Sequence, residues 1–223
     1  MTREASRVGE KPNLLRVVDG GRQSDLTDPS DADLIDALER GEGRACVELY
    51  DRLVGVVEGS LYRVLGRRDE AHDDLVQAAF EQIVLTLSKN RFSRACSLRS
   101  WAATVTTHVA FNSLRSRTRE RKVVDRGRDG EFEARIRHSN ADVEREATVR
   151  EALDRVRFHL AAMDRKHAMT LFLHDVEGHE LAEIAVLTSV SVAAAQSRLV
   201  RARKELQRRL SEERSTFSAG DGS

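Results

Sequence analysis

The chain has 223 residues, with 37 basic and 37 acidic side chains that cancel, 40% hydrophobic residues and 33% charged ones. That length holds one large domain or two small ones, with enough apolar residues to bury cores beneath a highly charged surface. Two prolines and an aromatic content of 4% exclude an all-β chain, whose strands and turns draw on both, while Ala, Leu, Arg and Glu favour helix.

Residues 1–30 mix Gly, Ser, Asp and Arg around one short apolar patch, Leu14 to Val18, and read as a disordered tail. Order is expected from Asp31. A first helix carries Leu34, Ile35 and Leu38 on one face and ends at Gly41 and Gly43. A second runs from about Arg44 to Leu65, with an inner stripe of Val47, Leu49, Tyr50, Leu53, Val54, Val57, Leu61 and Val64, and Gly66 stops it. A third spans about Asp69 to Ser88, with Leu75, Val76, Ala79, Phe80, Ile83, Val84 and Leu87 inward. After a polar break from Lys89 to Ser97, a fourth spans about Leu98 to Arg119, with Leu98, Trp101, Val105, Val109 and Leu114 facing the core. Four helices with a shared core make a complete helical domain over 31–122.

Residues 123–141 are rich in Gly, Asp, Arg and Ser and read as a flexible linker. A second helical set follows over 142–210: about Asp142 to Met163, Arg165 to Val176, Glu180 to Leu187 and Ser191 to Leu210. Residues 211–223 are polar and read as a frayed tail. The fold class is therefore all-α, with two helical domains.

Charge alternates along this plan. Residues 31–81 hold 13 acids against 6 bases, and residues 82–122 hold 9 bases against 1 acid. In the second set, 188–209 holds 6 bases against 1 acid. The zero net charge thus hides two modules, each with one basic end suited to phosphates.

The clearest motif runs from Glu180 to Leu210. Leu181, Ile184 and Ala185 line the inner face of a short helix, Thr188-Ser189-Val190 makes a turn with Val190 as its apolar plug, and Ser191 caps a longer helix. Val192, Ala195, Leu199, Ala202 and Leu206 form that helix's buried stripe. This is helix-turn-helix spacing. Ser191, Ala193, Ala194, Gln196, Ser197, Arg198, Arg201, Arg203 and Lys204 project from the other side or lie near its N-terminus, where short side chains permit close approach and amides, hydroxyls and cations meet bases and phosphates. Alanines 193–195 cannot hydrogen-bond bases, so readout falls to Gln196, Arg198, thymine-methyl contacts or DNA shape.

Other chemistries lack support. His159, His167, His174 and His179 cluster without any i, i+4 pair, and no cysteine is nearby, so neither a metal nor another cofactor is expected. No GxxxxGK[ST], GxSxG or GxGxxG occurs, and the chain does not read as an enzyme. Cys46 and Cys96 lie far apart and suit a reducing compartment. With no membrane-spanning run and no signal peptide, a cytoplasmic protein is expected.

Four segments together resemble one family. Asp73-Asp74-Leu75-Val76-Gln77-Ala78-Ala79-Phe80 looks like the "(E/D)DLVQ-xx-F" segment of extracytoplasmic-function sigma factors, members of the sigma-70 family. Leu98-Arg99-Ser100-Trp101, followed by Val105, Ala110, Asn112, Leu114 and a basic run, resembles that family's "LRTWL…IA.N…D.LR.R.R" stretch. His174-Asp175-Val176-Glu177-Gly178 is similar to "RDVEG", and Ser197-Arg198-Leu199-Val200-Arg201-Ala202-Arg203 to "SRLHRAR". The order and spacing match over about 31–122 and 149–210. Where the family often has Gly at the turn, Pro or Thr near the recognition-helix start and a common Lys, this chain has Ser189, Ser191, Ala194 and Gln196.

The resemblance implies a protein that binds core RNA polymerase, through the β′ clamp helices and β flap, and directs promoter-specific initiation. It assigns core binding to Asp73, Asp74, Leu75, Gln77 and Glu81. It assigns the melted −10 strand to Asn90, Arg91, Phe92, Arg94, Arg99, His108, Asn112, Arg115, Arg117 and Arg119, with Trp101 read as a core residue instead. It gives the −35 duplex to the helix-turn-helix and implies an anti-sigma factor as a further partner. Two alternatives stay open on the residues: a helix-turn-helix regulator that never engages polymerase, and a sigma-like interaction protein that has lost promoter recognition.

Overall fold

The structure, a computed structural model, describes residues 29–125 and 141–220. The apolar patch Leu14 to Val18, with nearly all of the segments read as N-terminal tail and linker, lies outside the described residues, whereas 211–220 of the segment read as a frayed tail are helical.

Among the described residues eight helices follow one another: α1 (Pro29–Glu39), α2 (Gly43–Leu65), α3 (His72–Ser88), α4 (Leu98–Asp125), α5 (Ala141–Ala162), α6 (Arg165–Asp175), α7 (Leu181–Leu187) and α8 (Val192–Gly220). Glycine sets two of the breaks. Gly41 has φ +76, and the amide of Glu42 bonds the Ala37 carbonyl at 3.0 Å, which closes the end of α1 in a left-handed turn that glycine adopts without a Cβ penalty. Polar caps set two of the starts. The Asp164 carboxylate accepts from the amides of Lys166 and His167 at the head of α6, and Ser191 Oγ accepts from the Ala194 amide at 3.1 Å at the head of α8.

In the first module α2 and α4 form the most extensive pair, α3 packs on both, and α1 closes over α2 and α3. Ile35, Leu49, Leu53, Leu61, Ile83, Leu87, Leu98 and Phe111 are fully buried there. In the second module α6 packs chiefly on α8, with α5 and α7 alongside, around Met163, Leu173, Ile184, Ala195, Leu199 and Ala202. The two modules also meet. α4 packs against α5, α6 and α7, and Phe111 sets its ring edge-on to Phe172 at 5.6 Å and 88°, a favoured aromatic geometry. Most of the buried apolar residues among those described form one cluster that spans both modules.

The apolar stripes hold with local corrections. Val47 and Tyr50, read as inward on α2, are 63% and 46% exposed, and Val192, read into the stripe of α8, is exposed as well. On α4 the tightest packing comes from Ala102, Thr106, Thr107, Ala110 and Phe111, while Trp101, Val105, Val109 and Leu114 are only partly buried. Threonine was invisible to a hydrophobic count, yet Thr106 Oγ1 bonds the Ala102 carbonyl at 2.8 Å and so enters the core with its hydroxyl satisfied. α8 runs to Gly220, beyond the Leu210 set from sequence. Arg208 pairs with Glu212 at 2.5 Å, and His159 of α5 meets Glu213 at 2.8 Å, so i, i+4 pairing and tertiary contact carry the helix onward.

Candidate protein and nucleic-acid interfaces

α3 presents an acidic outer face. Asp73, Gln77 and Glu81 recur at four-residue spacing with Asp74 beside them, and all four are exposed, because Ala79, Ile83 and Leu87 turn the opposite side into the core. Gln77 Nε2 donates to Glu81 Oε1 at 2.9 Å. Leu75 stands apart from them, packed against the core cluster. The acidic face continues into apolar surface that the sequence reading did not find. Tyr50 of α2 lies 4.7 Å from the Phe80 ring, with Val47 one turn before it, and Leu85 is exposed further along α3. Exposed apolar groups beside carboxylates make a surface fit for a basic, partly apolar partner.

The segment between α3 and α4 is held in shape by two left-handed residues, Asn90 (φ 49) and Arg94 (φ 54). Arg94 is tied to α1, donating to Asp36 at 2.5 Å and lying 3.4 Å from Glu39. Phe92 is buried, 4.8 Å from the Trp101 ring. It therefore serves the core and not an open base-stacking platform, which corrects the sequence expectation. The contact with Trp101, across the turn into α4 and outside the period of either helix, is the reason.

The polar residues of this segment and of α4 divide by surroundings. Arg91, Arg99 and Arg119 are exposed and form no ion pair among the described residues, and Asn112 is exposed too. Arg115 donates to the Met163 carbonyl at 2.9 Å, and Arg117 pairs with Asp69. His108 is half-buried, and burial, followed by the Arg165 guanidinium of α6, holds its imidazole below the ordinary range. Of the ten residues read toward a melted strand, Arg91, Arg99, Asn112 and Arg119 thus stand open, whereas Arg94, His108, Arg115 and Arg117 are engaged within the chain.

The helix-turn-helix is built as its sequence predicts. After α7 the amides of Thr188, Ser189 and Val190 bond the carbonyls of Ile184, Val186 and Ala185. Ser189 takes φ 53, and Val190 packs against the core cluster. Ala195, Leu199 and Ala202 bury one side of α8. Ala193, Gln196, Ser197, Arg201 and Lys204 are exposed on the other side, with Ala194 and Arg198 partly covered. Arg198, Arg201 and Lys204 form no ion pair among the described residues, so their charge is open to phosphates. Arg203 differs: it donates to Asp175 at 3.1 and 2.5 Å, and that hydrogen bond holds the Asp175 carboxyl below its usual range. It ties α8 to the end of α6 while its side chain stays exposed.

The turn of this motif also faces the first module. Ser93 and Ala95 share an open, mostly apolar cleft with Ala182, Ala185, Val186, Ser189, Val190, Ser191 and Val192.

Comparison with known proteins gives two family models. One, described as sigma-70 region 2, matches residues 49–120. The other, described as sigma-70, region 4, matches residues 153–206. Together they take in more than half of the chain. No curated protein matches. Among solved structures, one described as CnrH in complex with the cytosolic domain of CnrY is 23% identical, with 82% of this chain and 98% of that chain covered and a TM-score of 0.47. Among the described residues no helix is long and apolar enough to cross a membrane.

Proposed function

The chain belongs to the sigma-70 family, as a sigma factor of the extracytoplasmic-function type, and on that premise we propose that it docks on core RNA polymerase through the outer face of α3 and divides promoter reading between its two modules. RNA polymerase and promoter DNA are the partners that regions 2 and 4 imply. Asp73, Asp74, Gln77 and Glu81 meet the β′ clamp helices, with Tyr50 and Val47 extending the contact. The observation that carries this reading is the α3 face itself, acidic, exposed and continuous with apolar surface, which suits a basic coiled coil.

Region 2 then holds the melted −10 strand with Arg91, Arg99, Asn112 and Arg119, assisted by Arg115 and His108 once these are uncovered. Region 4 reads the −35 duplex through Gln196, Ser197 and Arg198, with Arg201 and Lys204 on phosphates and the β flap behind it. The protein supplies recognition, and the polymerase performs the chemistry. An anti-sigma factor that holds the modules in a closed pose completes the scheme.

The test is a pull-down of purified protein with sigma-free bacterial core RNA polymerase, read as a stoichiometric complex by size exclusion. A complex is expected. Its absence at moderate salt, with folded protein free of inhibitor, would instead favour a helix-turn-helix regulator that does not engage polymerase.

A further inference from the structure

The loop between α3 and α4 takes an unfavoured shape, and a helix remote from it in sequence holds that shape. Asn90 and Arg94 have φ 49 and 54. Asparagine visits this left-handed region readily, whereas arginine does so against its Cβ. Such strain persists only where the surroundings over-determine it, and it gathers at ligand clamps.

The two ends of the loop are fixed locally. The Asn90 amide bonds the Leu87 carbonyl at 2.9 Å, and the Arg91 amide bonds the Thr86 carbonyl at 3.0 Å. Phe92 is buried against Trp101. At the far end Ser97 Oγ accepts from the Ser100 amide at 3.1 Å, in the first turn of α4. Between Phe92 and Ser97 the tie is Arg94, whose Nη2 donates to Asp36 Oδ1 at 2.5 Å and to Glu39 Oε1 at 3.4 Å.

Asp36 and Glu39 are three residues apart on α1 and so share one side of it. That helix is a firm base. Its Leu34, Ile35 and Leu38 are buried, it packs on both α2 and α3, and Arg52 of α2 pairs with its Asp31 at 2.5 Å. Both acids precede residues 49–120, the stretch that matches region 2.

The arrangement suits positioning and not direct contact. A guanidinium flanked by two carboxylates carries no net pull on a phosphate. Arg91, Ser93 and Ala95 are exposed, so the loop presents a cation, a hydroxyl and a small side chain from a backbone whose path Arg94 sets. Splayed bases are read in shaped pockets, and a small displacement of that backbone misaligns every group on it together.

We infer that Asp36 and Glu39, acting through Arg94, are positioning residues for this loop and determine which bases of the melted −10 strand it accepts. The inference rests on the strand-holding role proposed above for the first module.

The test uses polymerase reconstituted from sigma-free core and the full chain. It is offered a single-stranded DNA library randomised over the length of one −10 element, and the bound strands are sequenced. In the double variant Asp36→Asn with Glu39→Gln, enrichment of the parent's preferred sequence is expected to fall about tenfold, even though two negative charges have left the loop's surroundings. Circular dichroism, core binding and duplex affinity are expected to match the parent. Arg94→Lys, which keeps a cation within reach of both acids, should retain most of the preference. Arg94→Gly, which relieves the left-handed φ but cuts the tie to α1, should lose it as the double variant does.

Equal enrichment of the same sequence by parent and double variant overturns the inference. Tighter strand binding by the double variant also overturns it, because Arg94 would then be a phosphate ligand restrained by its acids. A preference kept by Arg94→Gly overturns it as well, and does not depend on how the α1 variant folds. A parent that enriches no sequence removes the strand-holding reading itself, and the inference with it.

Discussion

Arg117 of α4 offers both terminal nitrogens to the carboxylate of Asp69, with the Nη2 bond at 3.1 Å, and so fastens the distal half of α4 to the loop between α2 and α3. The Arg117 hydrogen bond is the chief reason the Asp69 carboxyl sits below its ordinary value. A depressed folded-state pKa contributes stability that is present above the unfolded value, near 4, and is lost as pH falls through the folded one. Asp69→Asn is expected to cost about 1 kcal/mol at neutral pH, since the pair is partly solvated, and to cost progressively less below pH 4. Urea midpoints at pH 7 and pH 3 check this; an equal deficit at both would show that the pair carries no pH linkage.

Ser189 occupies the turn of the helix-turn-helix at φ 53, a conformation that costs a residue with a Cβ about 1–2 kcal/mol. Glycine removes that strain but gives back about 0.5–1 kcal/mol in chain entropy. Ser189→Gly should therefore stabilise the second module by roughly 0.5 kcal/mol. The readout is the thermal midpoint of the full chain, and a lower midpoint would mean that the serine side chain contributes a contact outweighing the strain.

Phe92 offers a way to separate core from DNA roles. Buried against Trp101, it should cost about 3–5 kcal/mol of stability when cut to alanine. An exposed base-stacking ring would instead leave stability nearly unchanged and weaken single-strand binding. Denaturant unfolding of Phe92→Ala decides between the two.

Asp74 and Gln77 are exposed on α3, so their replacement should not disturb folding. Asp74→Arg is expected to weaken core polymerase binding at least tenfold, about 1.4 kcal/mol, by setting like charge against a basic partner, and Gln77→Ala by less. Circular dichroism should match the parent for both. Unchanged affinity in a pull-down titration would remove the docking assignment from this face.

On α8 the cations should differ in kind. Arg198→Ala is expected to cost about 1–3 kcal/mol on the preferred duplex and to relax discrimination, while Lys204→Ala weakens all duplexes alike and lowers the salt slope by about one. Duplex titrations at several salt concentrations resolve the two, and identical slopes for Lys204→Ala and parent would place that lysine away from phosphate. Core polymerase binding should be unaffected by either change.

The sequence by itself determined the helices, their order and their division into two modules, because helical periodicity, caps and glycine stops act over a few residues. Ser191 heads α8 and Gly66 ends α2 for local reasons. The helix-turn-helix was legible for the same cause: Val190, Ala195, Leu199 and Ala202 fix its inner side, and the outer side follows by geometry. Tertiary structure decided which outward-looking residues stay outward. Phe92 turned inward because Trp101, remote from it in pattern, supplied a partner. Arg115, Arg117 and Arg203 read as open cations, yet each found an acceptor on another element, at Met163, Asp69 and Asp175. A run of arginines states how much charge is available; only long-range packing determines which guanidiniums it consumes, because an acceptor many residues away leaves no mark on local spacing.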